Sequence, residues 1–409
     1  MGKKKENLKP NGFAWWIYKT YSSIAMKLKF NVKYDREEFN KRNKKEGCIV
    51  LYNHACNSDH FISTAFFGST KVNYVITKRF MFFPAIRFVL NLVKAIHRDQ
   101  FKNDTSSILK MRRVIEQGGV IAIAPAGQVT INGEMPEVNP IIVKLLKMCK
   151  ADVYTLQTYG SYLAQPKWGL NKRKYPISVK CVKTLSKEEI KTLDSDSCYQ
   201  KIVEDLNIND RINQKDKMYE IKGKKLAEGL ENILYICPKC GKKYSIITCD
   251  NEIICDNCGN TIVYNQFGFL EGKGENYVLM KDEALWCDYQ KHQIMKEIKA
   301  KTYYLESNVS FYTNPNEEFK LEHVGDGKLI FDGNSLKYIG TKCGAEYVKE
   351  FSLKVAVQLP FVPAVRFNIP DEDGMLEFVT ENKKEIMEWV QAIAAYQAVK
   401  LEEEKNADN

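Results

Sequence analysis

The sequence contains no run of roughly 18 uninterrupted apolar residues, the length that a membrane-spanning helix requires. The two best stretches fail in different ways: residues 12–18 stop at Lys19, and residues 80–96 contain Pro84, Arg87 and Lys94. A spanning helix is therefore not expected. The start, Met1-Gly2-Lys3-Lys4-Lys5, leads into no continuous apolar core and no small-residue cleavage site, so an export signal is not expected either. A Gly-x-Ser-x-Gly elbow, a Walker phosphate loop and a dinucleotide glycine motif are all missing, as is any convincing internal repeat. The chemistries that depend on those motifs drop out. Cysteine, in contrast, is plentiful at 12, but five of the 12 fall between positions 237 and 258 and the rest are scattered. That distribution argues against a secreted disulfide framework and for reduced thiols in a cytoplasm.

What is present describes a folded protein. Hydrophobic residues make up 44% and charged residues 27%, values that do not favour disorder. A chain of 409 residues exceeds what one core organises, so two or three domains are expected. Charge is unevenly distributed: residues 1–113 hold 23 Lys/Arg against 8 Asp/Glu, while the whole chain carries only +10. The remainder is acidic on balance. A basic N-terminal third implies an anionic neighbour, whether lipid headgroups, nucleic acid or a phosphorylated substrate, or else a solvated basic face.

Four stretches separate by pattern. Residues 1–46 interleave aromatic and basic positions, and helical spacing puts Trp15, Ile17, Tyr18, Tyr21, Ile24 and Ala25 on roughly one face. Trp and Tyr flanked by Lys suit a helix lying in the headgroup layer, and an amphipathic helix packed on the next domain fits equally. Residues 47–230 alternate apolar runs at 48–52, 72–76 and 120–124 with helical periodicity at 106–117 and Ile141–Cys149, which argues an α/β domain with a mostly parallel central sheet. Residues 80–93 read as one apolar surface helix around Arg87. Residues 190–232 read as charged helix and linker with little visible chemistry.

The chemistry-bearing run of this domain is Asn53-His54-Ala55-Cys56-Asn57-Ser58-Asp59, directly after a predicted buried strand. A histidine there is held rigidly yet open to a crevice. Asp59 reaches it if the intervening loop starts a helix that turns back. A carboxylate on one imidazole nitrogen sets the tautomer, leaving the other nitrogen to take a proton from a hydroxyl.

This run resembles the His-x4-Asp block of the glycerol-phosphate and lysophospholipid acyltransferase superfamily. About seventy residues on, Ala122-Ile123-Ala124-Pro125-Ala126-Gly127-Gln128-Val129-Thr130-Ile131-Asn132-Gly133-Glu134 resembles the superfamily's strand followed by Phe-Pro-Glu-Gly-Thr-Arg-Ser and a Gly-Glu. Thr77-Lys78-Arg79 with Ala95-Ile96-His97-Arg98 resembles the intermediate block, in which an arginine helps to hold the acceptor's phosphate. The resemblance spans about residues 15–230. It implies acyl transfer from a thioester of coenzyme A or acyl carrier protein to a hydroxyl of a lipid acceptor, with His54 as general base and Asp59 as its orienting partner. It puts Asn53, Lys78, Arg79, Arg98, Gly127, Gln128 and Thr130 on the substrate side. Two positions depart from the pattern: Ala126 stands where the superfamily has Glu, and Val129 where it has the phosphate-binding Arg. Either the acceptor differs from the superfamily's norm, or the domain is a non-catalytic scaffold.

A cysteine module occupies residues 234–265. Cys237-Pro238-Lys239-Cys240 and Cys255-Asp256-Asn257-Cys258, each followed by glycine, have the spacing of a structural zinc ribbon. Four thiolates close the coordination sphere, so a catalytic zinc is not expected. Cys249 lies off the pattern. Residues 303–400 show short alternating strands, turn signals at Asp332-Gly333-Asn334 and Asp373-Gly374, and a final helix carrying Ile386, Trp389, Val390 and Ile393 at core spacing. This C-terminal β-barrel or sandwich with a closing helix resembles the pleckstrin-homology or GRAM-like fold through its strand succession. It carries no dense Lys/Arg loop, so protein contact or membrane positioning is expected of it. Together the readings imply a protein peripheral on the cytoplasmic face of an anionic membrane surface. Nucleic acid ranks last as a partner, because the basic residues lie far from the ribbon and among interfacial aromatics.

Overall fold

The computed structural model describes residues 7–98, 104–313, 321–371 and 374–407. The opening Met1–Lys5 run and the side chain of Arg79 lie outside the described residues. The chain forms two compact units, Met1–Pro166 with Arg173–Lys222, and Lys167–Lys172 with Gly223–Asn409.

In the first unit, α1 (Gly12–Phe30) leads into β1 (Lys33–Asp35), β2 (Cys48–Tyr52), α2 (Asp59–Phe67), β3 (Val72–Thr77), α3 (Pro84–Leu92) and β4 (Ile96–Arg98). Then come α4 (Thr105–Glu116), β5 (Val120–Ile123), α5 (Ile141–Cys149), β6 (Asp152–Tyr159), β7 (Ser178–Leu185), α6 (Ser195–Leu206) and α7 (Asp210–Lys217). The seven-stranded sheet has the order β1-β7-β6-β2-β5-β3-β4, and only the β6–β7 pairing is antiparallel. Every residue of β2 (CIVLY) and β5 (VIAI) is buried, as central parallel strands covered on both faces require.

The connectivity creates a crevice. From β2 the chain passes beyond β5 to β3 and β4, then returns to β5 and crosses β2 to reach β6. Right-handed crossovers put the helices of the outgoing and returning halves on opposite faces. Accordingly α1 packs on α2, while α4, α5 and α6 pack together. The loops leaving β2 and β5 therefore diverge at adjacent carboxyl ends, where open α/β sheets bind ligands.

Two helices depart from expectation. The buried side of α1 is Trp15, Ser22, Met26 and Phe30, while Phe13, Trp16, Ile17, Tyr21, Ile24 and Leu28 are exposed. Contact with α2 sets this rotation: the Trp15 indole N–H donates to the Gly68 carbonyl at 3.0 Å, and the Tyr18 and Tyr21 rings lie against Phe61. The helix is apolar on its outer side as well. Residues 80–93 do not make one helix. A 3₁₀ turn, Lys78–Phe82, precedes α3, because Pro84 lacks an N–H and holds Phe83 in the extended region at φ −104°. No described helix is long and apolar enough to cross a membrane.

The second unit contains a four-stranded antiparallel sheet, β8 (Ile246–Cys249), β9 (Glu252–Cys255), β10 (Thr261–Tyr264) and β11 (Leu270–Gly272), followed by α8 (Glu283–Lys299). A seven-stranded antiparallel sheet follows, made of β12 (Leu305–Thr313), β13 (Glu322–Phe331), β14 (Leu336–Lys342), β15 (Ala345–Phe351), β16 (Phe361–Val362), β17 (Arg366–Asp371) and β18 (Gly374–Thr380). Its order, β15-β14-β13-β12-β18-β17-β16, makes the first strand central by pairing it with the last. The final helix, α9 (Glu385–Ala407), closes the sheet. Its Trp389 stacks on Phe367 and donates its indole N–H to Ser307 at 2.8 Å. The mostly parallel α/β sheet, the cysteine module and the antiparallel sheet with its closing helix are the architecture that the sequence pattern implied.

Candidate functional site

The crevice at the ends of β2 and β5 is built from short local rules. After Tyr52 the strand ends, and the turn through Ser58 starts α2 at Asp59. Asp59 is 2% exposed, and its Oδ2 accepts from the backbone N–H groups of Ala55 at 2.7 Å and Cys56 at 2.9 Å. The same oxygen lies 2.8 Å from His54 Nδ1. The Cys56 thiol donates to Oδ1 at 3.2 Å, and burial together with the Asp59 charge pushes that thiol well above its ordinary range, so it stays a donor. The carboxylate is thus held from four directions. A buried anion paired in this way orients the imidazole and stabilises its cation. The His54 side chain is 24% exposed, and Nε2 has no protein partner among the described residues. Nδ1 is thus anchored, and the Nε2 edge of the ring makes no protein hydrogen bond among the described residues.

The sequence-predicted substrate residues fall into three groups. Thr130 lies directly beside the dyad: its N–H donates to the His54 carbonyl at 2.9 Å, and its hydroxyl accepts from Gly133 N at 3.0 Å. Gly127 and Gln128 share that loop. Gly127 sits at φ +68°, and the buried Nε2 of Gln128 has no partner among the described residues. Farther along the same sheet edge, Lys78 follows β3 and is exposed, and Arg98 ends β4 with a buried Nε that has no described partner. Asn53 differs from both groups. Its amide donates to the Thr158 carbonyl at 2.9 Å and accepts from the Thr158 N–H at 2.8 Å, a structural use that ties the ends of β2 and β6 beside His54.

Two further residues reach this region from α7, which sequence reading treated as helix and linker. Asp210 is 3% exposed and accepts from Gly160 N at 2.6 Å and Tyr162 N at 2.9 Å, in the turn after β6. Burial pushes its carboxyl up to about 6 against the downward pull of these N–H donors. Arg211 is 5% exposed and donates to the Asn132 carbonyl in the loop after β5. Consecutive residues of one helix thus hold the two loops that flank the His54 strand. The only local sequence signal was Asn209, an N-cap whose side chain accepts from Arg211 N and Ile212 N.

The loop after β5 carries two uncharged residues, Ala126 and Val129, on either side of Gly127 and Gln128. Ala126 packs against the hydrophobic core instead of presenting a carboxylate.

With that geometry in view, the family comparison becomes informative. Residues 31–171 match the acyltransferase family. The matched segment runs from the start of β1 through the crevice loops to the turn after β6. Among solved structures, the fold is similar to the crystal structure of the 1-acyl-sn-glycerophosphate (LPA) acyltransferase PlsC from Thermotoga maritima. The likeness has a TM-score of 0.41 and 13% identity over 50% of this chain and 79% of that one. No curated protein sequence matches the chain.

The second unit holds a separate chemical centre. Cys237, Cys240, Cys255 and Cys258 bring their sulfurs within 4.8 Å of one another. Cys237 to Cys258 is 3.7 Å and Cys240 to Cys255 is 3.8 Å. Four sulfurs bound tetrahedrally at about 2.3 Å from one ion would be about 3.8 Å apart, so the spacing fits a metal and is far too long for disulfides. Gly241 and Gly259, at φ +72° and +69°, let each knuckle turn back, their N–H groups donating to Cys237 and Cys255 carbonyls at 2.9 Å. Ser245 lies 3.2 Å from the Cys255 sulfur, and Asn257 donates to Cys240. Cys249 is exposed at the end of β8 and takes no part.

Proposed function

We propose that this protein transfers an acyl group from a coenzyme A or acyl carrier protein thioester to a hydroxyl of a glycerolipid-type acceptor at a membrane surface. The observation that carries the reading is the His54–Asp59 contact of 2.8 Å with Nε2 open to the crevice, inside the segment that matches the acyltransferase family.

In this mechanism the acceptor hydroxyl gives its proton to His54 Nε2 as its oxygen attacks the thioester carbon. Asp59 stabilises the imidazolium that results. Collapse of the tetrahedral intermediate breaks the C–S bond, and the departing thiolate takes the proton from Nε2. We place Thr130 and Gln128, on the loop that bonds to the His54 carbonyl, beside the reacting centre. Lys78 and Arg98 stand two and three strands from β2, about 10 and 14 Å at ordinary strand spacing. We assign the acceptor's phosphate to these two cations, whose long side chains must extend along the strand ends toward His54 to meet it, in place of the Arg absent at position 129. Arg79 belongs with the same pair by sequence.

The membrane reading rests on the exposed apolar side of α1 and on Phe83, Phe88 and Leu92 of the adjoining segment, within a strongly basic N-terminal third. Such a surface suits a peripheral protein on the cytoplasmic face of an anionic bilayer. We assign catalysis to residues 47–230 and structural zinc to the cysteine module at 234–265. The barrel-like residues 303–400 would serve positioning or protein contact.

Purified protein with lipid extract should release thiol from acyl-CoA or acyl carrier protein, and His54→Ala should abolish the release. Equal turnover in that variant would exclude the mechanism. No turnover in either protein, with lipid binding intact, would favour the alternative of a non-catalytic membrane scaffold, for which the uncharged Ala126 and Val129 speak.

A further inference from the structure

A half-open cavity of the first unit lies at the opposite end of the sheet from His54. About 250 Å³ in volume, it is lined at the amino ends of β2, β3 and β5 by Lys9, Arg42, Lys44, Lys71 and Glu46, with Thr70 and the Gly118-Gly119 turn among its walls. A volume of that size is ample for a phosphate group. Four cations face one carboxylate, and Glu46 is already engaged by Lys187 at 2.7 Å and Asn43 at 3.0 Å.

The site is built rather than incidental. The Arg42 guanidinium lies 3.8 Å over the Phe39 ring and donates to the Phe39 carbonyl at 2.8 Å and to Thr70 at 3.0 Å. Asn73, 2% exposed, donates to the Leu8 and Lys94 carbonyls, which ties Leu8 down and holds Lys9 at the rim. Two residues beyond Lys9, the Asn11 N–H donates to the Leu92 carbonyl of α3, and α1 begins. Phe13 and Trp16, 71% and 55% exposed, follow within the first turns of that helix. A cationic recess thus sits at the root of an apolar helix face.

We propose that this recess is a phosphate-binding subsite for the headgroup of an anionic phospholipid in the bilayer on which α1 lies. It is separate from the catalytic crevice and selects the membrane on which the protein works. Lys9 and Lys71 supply mobile charge, and Arg42 supplies a fixed donor set suited to phosphate oxygens. The inference rests on the membrane reading of α1 given above.

The test compares full-length protein with Lys9→Gln/Lys71→Gln and, as an equal-charge control, Lys19→Gln/Lys27→Gln. Binding is measured on vesicles of phosphatidylcholine alone and with phosphatidic acid added, and to inorganic phosphate by calorimetry at constant ionic strength. At about 1 kcal/mol per lysine, diffuse attraction alone takes about 30-fold from either pair, so the recess pair should lose clearly more than about 30-fold on phosphatidic acid vesicles and the control pair no more than that. The same variant should bind pure phosphatidylcholine as before and keep its thioester turnover in detergent. Equal losses in both pairs would mean diffuse surface attraction and overturn the subsite. Binding of inorganic phosphate through Lys9 and Lys71 without vesicle binding would overturn the lipid source and the membrane reading together. Vesicle binding that ignores Lys9 and Lys71 would overturn the subsite alone.

Discussion

Replacing Asp59 by Asn tests the dyad most directly, because it keeps the shape and removes the charge. An amide oxygen in the place of Oδ2 still accepts from Ala55 N, Cys56 N and His54 Nδ1, which stand 2.7, 2.9 and 2.8 Å from Oδ2 in the wild type, while the amide nitrogen in the place of Oδ1 no longer accepts from the Cys56 thiol. Each bond to a carboxylate exceeds its neutral counterpart by about 1 kcal/mol, so the variant should lose about 2–3 kcal/mol of stability and remain folded. The imidazolium formed in the reaction loses an opposite charge whose centre lies about 4 Å away. At an effective dielectric of about 20 that is worth about 4 kcal/mol, or about a thousandfold in rate. His54→Ala offers the complementary case. It removes one of four donors from a buried carboxylate, and Asp59 keeps both backbone donors and the Cys56 thiol, so stability should fall by about 1.5–3 kcal/mol while turnover is lost. Thiol release from the thioester reports the rate, and urea denaturation reports stability. Asp59→Asn retaining more than a tenth of wild-type turnover while folded would refute the electrostatic role of the carboxylate.

The cysteine cluster and Asp210 yield the remaining predictions. Metal analysis should find one zinc per chain. Chelation should release it, make four additional thiols reactive and remove the cooperative unfolding of the second unit, since metal binding at such sites is worth on the order of 10 kcal/mol; a metal-free protein of undiminished stability would show the cluster to be dispensable. The Asp210 carboxyl, raised by burial to about 6 from the usual 3.8, makes the folded state hold that proton more tightly than the unfolded chain. Its contribution is therefore most favourable below about pH 4 and is lost as pH rises through about 6, by about 3 kcal/mol. The stability of wild type relative to Asp210→Asn should fall by that amount between pH 4 and pH 7, and a pH-independent difference would contradict the raised value.

Much of the architecture was legible because it is written locally. CIVLY at 48–52 and VIAI at 120–123 have no polar residue to offer solvent, so they had to be central strands. The helix Ile141–Cys149 matches its periodicity residue for residue, and Trp389 marked the closing helix by core spacing alone. The His-x4-Asp run carried its own geometry, since a helix starting at Asp59 turns the carboxylate back on the preceding loop.

Other features depend on contacts that no local window contains. The rotation of α1 follows from Phe61 and Gly68 at α2, so helical spacing, which grouped Trp15 with Ile17, Tyr21 and Ile24, picked a face that packing leaves largely exposed. Asp210 lies 50 residues from Gly160, and Arg211 lies 79 residues from Asn132, yet both hold loops beside His54. The recess at Lys9, Arg42, Lys44 and Lys71 exists only because the amino ends of three strands and the root of α1 meet there. From sequence these were merely members of a basic third.

The sequence by itself determined the periodicities, the cysteine spacing and the His54–Asp59 contact, since each is set within a few residues by backbone geometry. Tertiary structure alone decided which apolar face is left exposed, which cations converge, and which distant carboxylate and guanidinium brace the crevice. Those outcomes depend on strand order and helix packing, and the direction of a side chain across a sheet end is not encoded in its neighbours.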